Sequence, residues 1–122
     1  MKLAISQPTF LPWCGYIGLI DYVDKFVFLD DVQFDKRGWQ QRNYIKLNND
    51  KHLITLPIKS KNKRFQKINE AEIDHNTNYI DQHKKKIFYS YSKSKFYDQY
   101  SKDIFKIYDK KHKKILDFNI DM

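Results

Sequence analysis

Lys2-Leu3-Ala4-Ile5-Ser6 and Lys25-Phe26-Val27-Phe28-Leu29 are two short apolar runs, and what lies between them decides the fold. First comes Gln7-Pro8, then a loop with Pro12, Trp13 and Cys14, then Gly15 and a stretch in which Tyr16, Ile17, Leu19, Ile20 and Val23 recur at helical spacing. A proline stops the first strand, a helix runs from Gly15 to Val23, and a continuous apolar strand follows, of the kind buried on both faces of a parallel sheet. Strand, helix, strand predicts a right-handed crossover and a Rossmann-like start, with ligands beyond the carboxyl ends of the strands. Asp30 and Asp31 stand at that edge, after the second strand.

Working outward, Tyr44 to Leu47 and His52 to Leu56 flank Asn48-Asn49-Asp50, a turn composition that predicts a β-hairpin closed by Pro57. Lys59 to Lys67 reads as a mobile basic loop, Ala71-Glu72-Ile73 as a short strand, and Asp74 to Thr77 as caps for a helix. Tyr79 to Ser92 and Phe96 to Lys110 carry apolar and aromatic residues three and four apart, which predicts two amphipathic helices. Ile115, Leu116, Phe118, Ile120 and Met122 continue the periodicity without a helix stop signal, so the domain is expected to be truncated there. The fold class expected is α/β: a Rossmann-like β-α-β start with a small mixed sheet, followed by a C-terminal helical region, in one domain over residues 1–122.

At 122 residues the chain suits a single domain with a modest core, and 9 Tyr, 9 Phe and 2 Trp mean that rings must build much of it. One cysteine forms no internal disulfide, and no stretch approaches a signal peptide or a membrane span, so a cytoplasmic location without membrane insertion is expected. The formal charge of +8 is concentrated: residues 36–70 hold ten basic and two acidic side chains, whereas residues 1–35 are net acidic. That middle third suits phosphates on a nucleotide, a nucleic acid backbone or an acidic lipid face, although most lysines serve solubility.

Three constellations can carry chemistry. Gln7, Pro8, Trp13 and Gly15 form a rigid loop into a helix start, where free N–H groups suit a phosphate, or merely a proline-braced turn. Neither the dinucleotide fingerprint nor the P-loop pattern is present. Asp30 and Asp31 can accept a proton, bind Mg²⁺ or hold a ribose hydroxyl, and spacing does not choose among these, or between them and a turn role. Lys36, Arg37, Trp39, Gln40, Arg42 and Asn43 combine cations, amides and an indole: arginine grips phosphate and tryptophan stacks on a base or sugar. His52, His75, His83 and His112 show no metal-ligand spacing, so no metal site is expected. His83 reads as a solvated or capping residue, and Cys14 as a buried, inert thiol.

Ala4-Ile5-Ser6-Gln7-Pro8-Thr9-Phe10-Leu11-Pro12-Trp13-Cys14-Gly15-Tyr16, Phe26 to Phe34, Trp39-Gln40-Gln41-Arg42-Asn43, Leu56-Pro57-Ile58-Lys59, Ile68 to Asp74 and Tyr97-Asp98-Gln99-Tyr100 resemble, in order, the motifs of WbqC-like proteins. The resemblance covers almost the whole chain. It implies a bacterial protein linked with O-antigen, lipopolysaccharide and other surface-polysaccharide synthesis. The implied chemistry is transfer of an acyl or aminoacyl group, glycine among them, to the amine of a nucleotide-linked amino sugar. The sequence leaves the cofactor open, an acyl or aminoacyl donor being the candidate that this chemistry brings. Such proteins usually carry His where this chain has Ser6, and they continue beyond the helix that begins near Lys114, so this chain resembles a shortened member. A more distant likeness is to nucleotidyltransferases that activate carboxylates with ATP, whose signature histidine would fall at Tyr16. On the transferase reading Lys36, Arg37 and Arg42 hold the diphosphate, Trp39 stacks, and Asp30 or Asp31 accepts the amine proton. The rivals are a non-catalytic nucleotide or nucleic-acid binding module and an inactive shortened family member.

Overall fold

The computed structural model describes residues Met1–Met122. β1 (Leu3–Ser6), α1 (Cys14–Tyr22) and β2 (Lys25–Phe28) form a parallel β-α-β unit, with Ile5 opposite Val27. Lys2 and Ser6 carbonyls accept from Asp24 N–H and Leu29 N–H at 3.0 and 2.9 Å, extending the pairing at both ends. The sheet stays two strands wide, which is too few to establish a Rossmann-like start. What the structure has is a mixed α/β architecture of two small sheets and four helices.

β2 is not the interior strand its apolar run predicts. Residues alternate along β1 and β2, so Ala4, Phe26 and Phe28 turn to one side, where Phe26 meets Tyr16 edge-on at 5.5 Å. Leu3, Ile5 and Val27 turn to the other and are about half exposed. A run of four apolar residues cannot by itself show whether its second face is covered.

The hairpin consists of β3 (Arg42–Leu47) and β4 (Asp50–Thr55), antiparallel and in register from Arg42↔Thr55 to Leu47↔Asp50. Asn48 takes φ 56° in its turn, a left-handed conformation that asparagine tolerates. Ala71 to Ile73 does not form a strand. Its residues make isolated bridges, Ile58↔Ile73 and Glu72↔Lys114, after a 3-10 turn over Ile68–Glu70. The basic loop is tied down rather than free: the Gln66 carbonyl accepts from Phe34 N–H at 2.9 Å and the Arg64 carbonyl from Gln33 Nε2 at 3.2 Å.

α2 (Tyr79–Tyr91), α3 (Tyr97–Asp109) and α4 (Ile115–Asp121) fall where the periodicity puts them, although no side-chain cap bond forms at the start of α2. The core lies between these helices and the hairpin, built from Phe10, Ile54, Leu56, Ile73, Tyr108 and Phe118, each at most 1% exposed. The Phe118 ring lies 5.9 Å from Phe10 and 5.1 Å from Tyr108, the latter edge-on. His83 is buried here as well, not solvated. It follows Tyr79 and precedes Ile87 by four residues each, so all three share the inward face of α2. No helix is long and apolar enough to cross a membrane.

Candidate functional site

The carboxyl ends of β1 and β2 open into a polar cleft of about 570 Å³, lined by Ser6, Gln7, Thr9, Leu29, Gln33, Asp35, Trp39 and Gln40 among others. A second hollow of about 320 Å³ adjoins it, bounded by Thr9, Trp13, Trp39 and Asn43. Thr9 and Trp39 belong to both, so the two share a wall. Trp13 and Trp39 are 68% and 56% exposed, an unusual state for indoles unless they meet something.

Two glycines make the arrangement possible. A Cβ on Gly15 would collide with the six-membered ring of Trp13, so only glycine lets that indole lie across the start of α1. At Gly38 a Cβ would come within 2.6 Å of Asp35 Oδ2. Glycine there lets the carboxylate fold against the following turn, in which Gly38 N–H donates to the Asp35 carbonyl at 2.9 Å.

The amides that sequence alone offers as ligand contacts are engaged in holding this architecture. Gln40 is 5% exposed; its Oε1 accepts from Asp35 N–H at 3.0 Å and its Nε2 donates to Gln7 Oε1 at 2.5 Å. Gln41 links Arg37 N–H to the Leu56 carbonyl in the same way. Asn43 Nδ2 donates to the carbonyls of Phe10 and Leu11 at 3.3 and 2.9 Å, fastening the proline loop to β3. From α4, Asn119 Nδ2 donates to the Gln40 carbonyl at 2.8 Å. The amides of Gln40 and Gln41, buried and paired at both ends, fix a loop geometry that the backbone alone would not hold.

Of the residues singled out from sequence, Gln7, Trp39 and Gln40 meet in the polar cleft, and Trp13, Trp39 and Asn43 in the adjoining hollow. Pro8 is fully buried behind them, and Gly15 seats Trp13. Asp30 and Asp31 line neither hollow: Asp30 Oδ1 lies 3.5 Å from Asn69 Nδ2, and Asp31 is exposed. The carboxylate in the cleft is Asp35, which strand-end reasoning passes over. Alternation explains it. With Phe34 buried in the core, Gln33 and Asp35 turn to the cleft while Lys36 turns away. Arg37, exposed at φ 71°, and Arg42, half-buried at the start of β3, also lie outside both hollows.

Tyr16 sits below the cleft, its hydroxyl donating to the Gln7 carbonyl at 2.9 Å. Burial raises the pKa of its phenol, and a hydrogen bond with Ser6 opposes that more weakly, so Tyr16 stays a neutral donor. Cys14 is exposed at the first position of α1, contrary to the buried thiol expected. No three His, Cys, Asp or Glu side chains converge as a metal-binding group.

A sequence model of the WbqC-like protein family matches residues 7–122. Over 91 residues the chain is 41% identical to an uncharacterized Mycobacterium tuberculosis protein, Rv1507c, a match that takes in 75% of this chain and 39% of that protein. The chain thus spans about two fifths of the length of this relative. No solved structure matches.

Proposed function

Starting from the fact that the chain belongs to the WbqC-like protein family, we propose that it is a cytoplasmic transferase of surface-polysaccharide (O-antigen) synthesis, one that acylates or aminoacylates the amine of a nucleotide-linked amino sugar. The observation that carries this reading is the pairing of one carboxylate, Asp35, with an exposed indole, Trp39, in a polar cleft. A flat indole stacks on a base or on the apolar face of a sugar ring, and Trp13 across the adjoining hollow offers a second ring. On this reading the diphosphate extends beyond the two hollows to the guanidinium groups of Arg37 and Arg42, which stand on either side of Trp39 in the chain.

In the reaction the neutral amine attacks the acyl carbon of an activated donor. A nitrogen–carbon bond forms, the bond to the leaving group breaks, and the leaving group departs with the electron pair. The amine proton passes to Asp35 as the bond forms and then to the leaving group, so the carboxylate is regenerated. Asp35 replaces the strand-end pair Asp30 and Asp31 in this role because it alone of the three faces the cleft. Ser6 lines the same cleft but brings no base of its own.

Incubating the protein with nucleotide-linked amino sugars and acyl or aminoacyl donors, with products followed by mass spectrometry, tests the reading. The expected product is the amino sugar nucleotide heavier by one acyl group. No product from any donor, together with nucleic acid binding that weakens steeply with salt, would replace it with a non-catalytic binding module.

A further inference from the structure

Opposite the cleft, on the other side of the Gln33–Lys36 segment, lies a hollow of about 230 Å³ that the acyl-transfer reading does not use. Lys36, Lys63 and Arg64 line it together with Ser60, Asn62 and Gln66. We propose that this hollow is a separate binding site for a small ligand bearing a phosphate monoester or diphosphate group.

Charge is the first argument. The ion pairs of the chain involve Lys59, Lys84, Lys106, Lys110, Lys113, His112 and the amino terminus; none reaches Lys36, Lys63 or Arg64. No carboxylate lines the hollow either, so three cations are gathered with no counter-charge among its walls. Like charges brought together repel, and an anion of two charges relieves that repulsion while offering oxygens to the ammonium and guanidinium donors. Arg64 suits bidentate contact with two phosphate oxygens, and the lysines serve as point charges.

Construction is the second argument. The loop that supplies Lys63 and Arg64 is fastened to the wall that supplies Lys36: Phe34 N–H donates to the Gln66 carbonyl, Gln33 Nε2 donates to the Arg64 carbonyl, and Gln33 bridges to Lys67. Gln66 itself is only 9% exposed, and its Oε1 has no hydrogen-bond partner while its Nε2 donates to the Lys59 carbonyl at 3.4 Å. A buried acceptor without a donor is uncommon. A hydroxyl of the ligand, beside its phosphate, supplies the missing donor.

The test is the thermal midpoint in millimolar pyrophosphate against chloride at equal ionic strength, because a ligand bound only by the native state raises that midpoint. The native protein is expected to gain several degrees, the Lys63→Ala/Arg64→Ala double variant to gain almost nothing, and a control with two exposed lysines removed elsewhere, Lys93→Ala/Lys102→Ala, to gain as much as the native protein. Equal responses from the two double variants would mean a diffuse charge effect and overturn the proposal. So would stabilisation by a single-stranded oligonucleotide where pyrophosphate gives none, which would point to a nucleic acid backbone instead. Neither double variant touches Asp35 or Trp39, so the outcome is independent of the acyl-transfer reading.

Discussion

Asp35→Asn should lower the rate of amino sugar acylation by about 10² to 10⁴-fold, the usual contribution of a positioned general base, while leaving KM nearly unchanged. Asparagine keeps the size of the side chain but cannot take the amine proton. Its backbone anchor survives, since Gln40 Oε1 accepts from the main-chain N–H of residue 35 and not from its side chain. The side chain is exposed, so stability should change by no more than about 0.5 kcal/mol, as for surface substitutions generally. Asp30→Asn and Asp31→Asn provide the comparison: both carboxylates lie outside the cleft, and each variant should keep its rate within about threefold by the same reasoning that ties proton transfer to reach. Steady-state kinetics on the three variants decide the matter. A rate for Asp35→Asn within tenfold of the native rate would remove Asp35 from the mechanism.

Acid should destabilise the fold before the carboxylates of the surface are titrated, and His83 is the reason. Burial pushes its pKa down from 6.5 to about 4, a backbone hydrogen bond with Thr55 opposes this, and Lys86 adds to it. Nδ1 lies 3.2 Å from the Tyr108 hydroxyl, among the rings of Phe10, Tyr79 and Tyr108. Because the folded pKa lies below the unfolded one, the unfolded chain binds more protons between pH 6.5 and 4, and stability falls as pH drops through that window. The loss approaches about 3 kcal/mol at the acid end, taking 1.36 kcal/mol for each pKa unit. Urea unfolding at pH 7 and pH 4.5 would measure it. His83→Gln carries no titrating ring, so its stability should be nearly flat across the window. An equally steep fall in that variant would locate the acid sensitivity elsewhere. Glu72 and Asp121, whose carboxyl pKa values are lowered chiefly by Lys59 and Lys110 respectively, begin to add to the loss only near the acid end of this window and below it, as the unfolded chain takes up protons that the folded one does not.

Much of the fold was legible from periodicity and turn chemistry. α2 and α3 begin and end within a residue of where three-and-four spacing places them, and Asn48-Asn49-Asp50 marks the hairpin turn. Coverage was not legible: Lys25 to Leu29 looks the same in sequence whether one face is bare or both are packed, and Val27 is 45% exposed. At the site, Trp39 and Gln7 stood out because an indole and an amide beside prolines are costly to place in a loop. Asp35 did not, since its orientation depends on Phe34 entering the core and on the bond between Phe34 and Gln66, a contact thirty-two residues away in sequence. Gln40 and Asn43 were visible as amides, but nothing local tells an amide that meets a ligand from one that meets Gln7 or the Phe10 carbonyl. Gly38 carried the one local signal for Asp35: a glycine three residues after an acid, where the chain turns and the carboxylate folds back.

The claim on which the account rests is that the cleft between Gln7 and Trp39 holds the sugar nucleotide. Calorimetric titration of a nucleotide-linked amino sugar into the native protein and into Trp39→Ala tests it most directly. Stacking on one aromatic ring is worth about 1–3 kcal/mol, so the variant should bind about 5 to 150-fold more weakly with unchanged stoichiometry. Equal affinity in the two proteins, or no heat of binding in the native one, would contradict the account.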